Sequence, residues 1–163
     1  MPKRTRKIAI ALTLVAGVAV AAVSAADTAV PYPKGYRDWH HVKSMVILPG
    51  HPLADPFAGV HHIYANDKAR AGLTSGQYAD GAVLVFDLLE GGVKDNAIAE
   101  GARKLVGVMH RDAKRFAATG GWGFEGFAGD SREKRLVGDG GQSCFACHQA
   151  QKGQGFVYSA SRP

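Results

Sequence analysis

Ala82-Val83-Leu84-Val85-Phe86-Asp87-Leu88-Leu89 is apolar at every position except Asp87. A short, unbroken apolar run that follows a turn, here Ala79-Asp80-Gly81, reads as a strand buried on both sides. Such a strand needs partners, and the flanking sequence supplies them. Downstream, after a polar loop, residues 103–109 form another strand, and Trp122-Gly123-Phe124-Glu125-Gly126-Phe127 forms an aromatic one. Upstream, residues 42–48 are β-branched enough for a strand, which Pro49-Gly50-His51-Pro52 stops. Residues 57–65 alternate, with Phe57, Gly59, His61 and Ile63 on one side and Val60, His62 and Tyr64 on the other. Phe156-Val157-Tyr158 is a candidate closing strand.

Short helices separate these strands. Residues 32–39 end in a helical turn. Asn66 caps a helix that runs to Ala71 and weakens at Gly72. Asp112 caps another over residues 112–119, with Ala113, Phe116 and Ala117 as its apolar stripe and Gly120-Gly121 as its end. A charged loop over residues 130–135 leads to a last helix around Cys144. The expected fold is α+β, mainly an antiparallel β-sheet with a few short helices, and not a four-helix bundle.

The 163 residues make one domain with one core. At 46% hydrophobic the chain is too apolar for a disordered protein, and 2 Cys are too few for a disulfide scaffold. Residues 1–26 have a basic front (Lys3, Arg4, Arg6, Lys7), an apolar run from Ile8 to Val23 and a small-residue exit. Those are the parts of a secretory signal peptide, cut after Ala25 or Ala26. The apolar run is shorter than the roughly 20 residues a bilayer core requires, so no permanent membrane span is expected. Removing the segment leaves 16 basic against 14 acidic residues. Little remains of the formal +6, and a nucleic-acid partner is not supported. Residues 27–163 are the functional domain, exported to the periplasm.

Both cysteines fall in Gln142-Ser143-Cys144-Phe145-Ala146-Cys147-His148. Cys-x-x-Cys-His is the signature of c-type haem attachment. On a helical turn Cys144 and Cys147 project to one side and can meet the two vinyl groups along one porphyrin edge. His148 follows as the axial iron ligand. A redox Cys-x-x-Cys motif belongs early in a βαβ unit, and a zinc site needs four ligands in pairs, while this chain has no second Cys pair. One covalent haem c near the C-terminus is the expected cofactor, with His148 its metal ligand.

The residues after His148 contain neither Met nor His. A sixth iron ligand must come from Met45, Met109 or an upstream histidine, or be absent. His40-His41 and His61-His62 are sequence neighbours, and in an extended chain each pair points to opposite faces. The pattern leans toward an iron bound by protein on one side. In the stretch Gly120 to Phe127, Trp122 and Phe124 share one face and are candidates to line the pocket. The glycines there mark either a flat group lying on the sheet or bends in a protein core.

The order of these pieces resembles the cytochrome P-460 family, including its cytochrome c-prime-beta branch. The resemblance rests on Tyr36-Arg37-Asp38-Trp39, His62-Ile63-Tyr64-Ala65-Asn66 and Gly76-Gln77-Tyr78-Ala79-Asp80-Gly81. It continues through Asp112-Ala113-Lys114-Arg115-Phe116-Ala117, Gly121-Trp122-Gly123-Phe124 and the Cys144, Cys147, His148 motif. It implies a periplasmic, mostly β, homodimeric protein with a His-ligated c-type haem and an open distal side. The implied ligands are small and gaseous, such as NO or CO, or nitrogenous, with another cytochrome as redox partner. Family members that oxidise hydroxylamine carry a lysine joined to the haem just before a turn like residues 76–81. Here Leu73-Thr74-Ser75 stands there, and Lys68 lies at least a helical turn away. The resemblance also implies a distal acid, for which Asp87, Glu90 and Glu125 are candidates.

Overall fold

The computed structural model describes residues 29–162; the signal-like segment lies outside them. Five strands form one sheet: β1 (His40–Ile47), β2 (Gly59–Ala65), β3 (Val83–Lys94), β4 (Ala97–Arg111) and β5 (Trp122–Ala128). Their spatial order is β1-β2-β3-β4-β5, with every pair antiparallel. Three short helices accompany the sheet: α1 (Ala54–Phe57), α2 (Asp67–Ser75) and α3 (Gln142–His148). This is the expected α+β architecture.

Several expected elements are redrawn. The polar stretch after Leu89 is no loop but the distal arm of a β3–β4 hairpin, closed by Asp95 and Asn96 at φ 52° and 59°. Asp and Asn tolerate the left-handed backbone that a two-residue hairpin turn demands. Residues 57–58 belong to α1 and its exit rather than to β2. α2 passes through Gly72, because that glycine makes room for Tyr78: an added Cβ would lie 2.3 Å from its ring. The helix stops at Gly76 instead, whose φ of 71° lets its N–H bond the Gly72 carbonyl at 2.8 Å.

Residues 112–119 form a turn followed by the 3-10 segment Ala117–Thr119, not an α-helix. Asp112 does cap the first turn, accepting from the Arg115 N–H at 2.9 Å. Phe116, at φ −112°, then leaves helical backbone, and its ring packs over Gly123 and Val30. Phe156-Val157-Tyr158 is not a strand. The N–H groups of Phe156 and Val157 bond back to Gln151 and Gln154, so they are spent on the turn after α3.

Strand alternation sorts the apolar side chains onto two faces. One face carries Val42, Ala65, Leu84, Trp122 and Phe124, covered by Ala69 and Leu73 of α2 and by Val157. The other carries Val85, Val106, Val108 and Phe127, covered by Val30, Tyr36 and Phe116. Asp87 is fully buried on that second side, where it accepts from the Tyr36 hydroxyl at 2.7 Å and from Arg37 and Arg103 at 3.1 and 2.7 Å. Burial and the bond to Asp87 push the Tyr36 hydroxyl far above its ordinary pKa, and hydrogen bonding to Asp87 does the same for Arg103.

Candidate functional site

α3 stands against β5 on the first face. Its start is set by Asp139, whose carboxylate accepts from the N–H groups of Gly141 at 2.9 Å and Ser143 at 2.8 Å. Hydrogen bonding from Ser143, by its side chain first and then its main chain, holds the Asp139 carboxyl below its usual range, with Gly141 adding less. Gly141 sits at φ 85°, and a Cβ there would meet Phe124 at 3.0 Å, so α3 begins as close to the sheet as a backbone can come. Phe145 and Phe156 extend the contact, with ring centres 5.4 Å apart.

Cys144 and Cys147 occupy successive turns of α3 and are unpaired thiols. Cys144 is half-buried, which pushes its thiol above the ordinary pKa, and Cys147 is exposed. His148 ends the helix. Its ring is half-buried between Phe124 (centroids 5.1 Å) and Tyr158 (5.2 Å).

His148 Nδ1 lies 2.7 Å from the Phe156 carbonyl oxygen. A carbonyl can only accept, so Nδ1 carries the proton and Nε2 keeps a lone pair. Burial keeps the ring pKa below its ordinary value, favouring the neutral imidazole a metal requires. Phe156 presents that carbonyl from φ 68°, a region a bulky residue enters only under constraint from its surroundings. The constraint is visible: its N–H bonds Gln151, its ring meets Phe145, and the next carbonyl back, Gly155, accepts from Trp122 Nε1 at 2.9 Å. Tyr158 donates its hydroxyl to the Cys147 carbonyl at 2.9 Å, satisfying one end group of α3.

Beside this helix lies an apolar floor. The register aligns Ala65, Leu84, Met109 and Phe124 in one row and Ile63, Phe86, Gly107 and Gly126 in the next. Ile63, Phe86, Gly107 and Met109 belong to inner strands yet remain partly exposed. Phe57 of α1 meets Phe86 edge-on at 5.8 Å. The protein therefore offers a wide apolar face next to one oriented imidazole and two thiols.

The aromatic strand divides its tasks. Phe124 faces His148. Trp122, buried against Tyr78 and bonded to Gly155, holds the chain that carries Phe156 rather than contacting His148's ring. The glycines of this stretch are explained by protein neighbours: a Cβ on Gly123 would strike Phe116 at 2.4 Å, and one on Gly121 would strike Arg111. None of the acid candidates is at the site. Asp87 and Glu125 point to the opposite face, Glu125 receiving Arg135 at 2.7 Å, and Glu90 is exposed on the hairpin arm. Met109 is on the floor; Met45 lies on the edge strand, 38% exposed.

Sequence reasoning missed Asp139, the floor residues other than Met109 and Phe124, and the Phe156 carbonyl. Asp139 had a signal, an Asx residue just ahead of a helix. The carbonyl had none, because a main-chain acceptor leaves no mark on residue type.

The Cytochrome P460 family model matches residues 33–159. The chain belongs to the cytochrome P460 family. No curated protein matches it. Membership in the P460 family makes this a haem cytochrome, and the residues fit that group. Among the described residues no three His, Cys, Asp or Glu side chains converge to hold a bare metal ion. What this P460 protein presents is an imidazole with its lone pair on Nε2, two free thiols one helical turn apart and a broad apolar face, a set suited to iron carried in a flat macrocycle.

Proposed function

We propose that this chain is a periplasmic mono-haem c-type cytochrome, exported by residues 1–26, that binds small ligands such as NO or CO or passes electrons. Cys144 and Cys147 hold the haem as thioethers and His148 binds its iron. When bound, the haem supplies an iron that takes a diatomic ligand or exchanges an electron. The observation that carries this reading is the bond from His148 Nδ1–H to the Phe156 carbonyl. It fixes the tautomer, aims Nε2 and raises the ring's donor strength, as outer partners of metal-binding histidines do.

The floor residues Ile63, Phe86 and Met109 are apolar. Such a wall offers no hydrogen-bond donor, a lining that would favour NO and CO over O2 as ligands of a haem held there. The stretch before residues 76–81 carries no lysine, and Lys68 is tied to the Asp80 carbonyl at 3.0 Å. Both facts favour ligand binding over hydroxylamine oxidation. Among the described residues β1 is an edge strand, with Met45, Val46 and, just past its end, Leu48 exposed, which supports the homodimer.

The test is export with a working cytochrome-maturation system, followed by intact mass and NO titration of the ferrous protein. One haem per chain and one NO per haem are expected. A lysine–porphyrin link in the mass spectrum would replace this reading with the hydroxylamine-oxidising one.

A further inference from the structure

The sheet face opposite α3 carries a polar cluster that the haem reading does not use. His41 on β1 and His62 on β2 each aim a ring nitrogen at the Ser44 hydroxyl, Nε2 at 2.9 Å and Nδ1 at 2.7 Å. Ser44 and His62 are register partners across β1 and β2. On its far side His62 Nε2 lies 2.6 Å from Glu100 Oε1 of β4. Sequence neighbours diverge in a strand, so His40-His41 and His61-His62 do not form sites; the pair that converges does so across the strands.

Hydrogen bookkeeping fixes the directions. A carboxylate only accepts, so the neutral, metal-binding form of His62 is the one that donates Nε2–H to Glu100 and keeps a lone pair on Nδ1. Ser44 donates its one proton to that lone pair and accepts from His41. Both imidazoles are therefore already turned toward one point. Their ring centres are 5.8 Å apart. Two imidazoles bound at about 2.0–2.1 Å to one tetrahedral ion hold their centres roughly 5–6 Å apart. A carboxylate behind one ring is also the usual support of a metal-binding histidine.

We propose that His41 and His62 form a surface site for a divalent transition-metal ion of the zinc or copper class, with Glu100 orienting His62. Imidazole nitrogen selects these ions over magnesium and calcium. On binding, the ion replaces the Ser44 hydrogen on His62 Nδ1, and the His41 proton moves from Nε2 to Nδ1, so no net proton is released. Among the described residues no third His, Cys, Asp or Glu completes a cage. The Ser44 hydroxyl and water fill the remaining positions, and His41 and Ser44 are exposed enough for an ion to enter. Neither the ion nor its ligands depend on the haem site.

The test titrates ZnCl2 into the haem-loaded protein by calorimetry and reads Cu²⁺ by electron paramagnetic resonance, with unchanged haem absorbance as the check on folding. Wild type is expected to bind one equivalent, with nitrogen hyperfine structure from two imidazoles. His41→Ala and His62→Ala should each weaken binding at least tenfold. Glu100→Gln should weaken it by about tenfold, and Ser44→Ala should retain it. No one-equivalent uptake by wild type, or wild-type affinity in His62→Ala or Glu100→Gln, overturns the proposal.

Discussion

His148 is oriented by a single acceptor, and that acceptor is main chain. The bond cannot be deleted without moving Phe156, but the ring itself can be removed. In the haem-loaded protein, His148→Ala is expected to keep covalent attachment through Cys144 and Cys147 while losing the protein's iron ligand. Added imidazole should then restore the ferrous visible spectrum; failure to restore it would show that another residue had been the ligand. Met109 pairs with Phe124 in the register and lies on the apolar floor. Met109→Leu should leave the visible spectrum unchanged, since Met109 packs against the core on that face and its sulfur serves packing only. Asp139 adds a pH effect. Its folded pKa is depressed, so its contribution to stability is full above the ordinary carboxylate pKa and fades as pH falls through the folded value. Asp139→Asn should lower stability near neutral pH and lose that acid dependence, measured by urea midpoints across pH.

Among the elements, α2 and the aromatic strand show how far local signals reach. Gly72→Ala improves helix propensity by about 1 kcal/mol. The added Cβ, however, would lie 2.3 Å from the Tyr78 ring, and overpacking of this kind costs about 1–3 kcal/mol. The clash is expected to win, lowering the urea midpoint; a rise would mean that Tyr78 moves freely. This glycine was legible as a helix breaker and is instead a packing site, because what it accommodates lies six residues on and across a turn. The β3–β4 arm was illegible for a related reason. Its outer half is exposed and mixes Gly, Ala and charged residues with the exposed pair Val93 and Ile98, so no buried face imposes a period. The central strands, the Asn66 cap and the cysteine helix were readable, since each rests on a pattern within a few residues. Residues 112–119 carried a true cap at Asp112, yet Phe116 found a better partner in the groove over Gly123 than a second helical turn could offer.

Across the whole molecule, the sheet separates two jobs. One face carries α3 and the apolar floor; the other is anchored by the buried Asp87 among Tyr36, Arg37 and Arg103. Removing one partner of a buried charge network costs about 3–5 kcal/mol. Arg37 is half exposed and can return to water, so Asp87→Asn is expected at the lower end, about 3 kcal/mol by urea unfolding, with an unchanged haem spectrum. None of this network was legible beyond Asp87 as an oddity in an apolar strand, because its partners come from two distant segments, Tyr36-Arg37 and Arg103. The division also explains why the acid candidates miss the site: alternation sends Asp87 and Glu125 to the anchoring face. The proposed function would leave His148 as the one protein ligand of the haem iron. Its most direct test is the absorption spectrum of the ferrous protein as isolated, before any ligand is added. A five-coordinate high-spin spectrum is predicted; a colourless protein, or a six-coordinate low-spin spectrum, would contradict it.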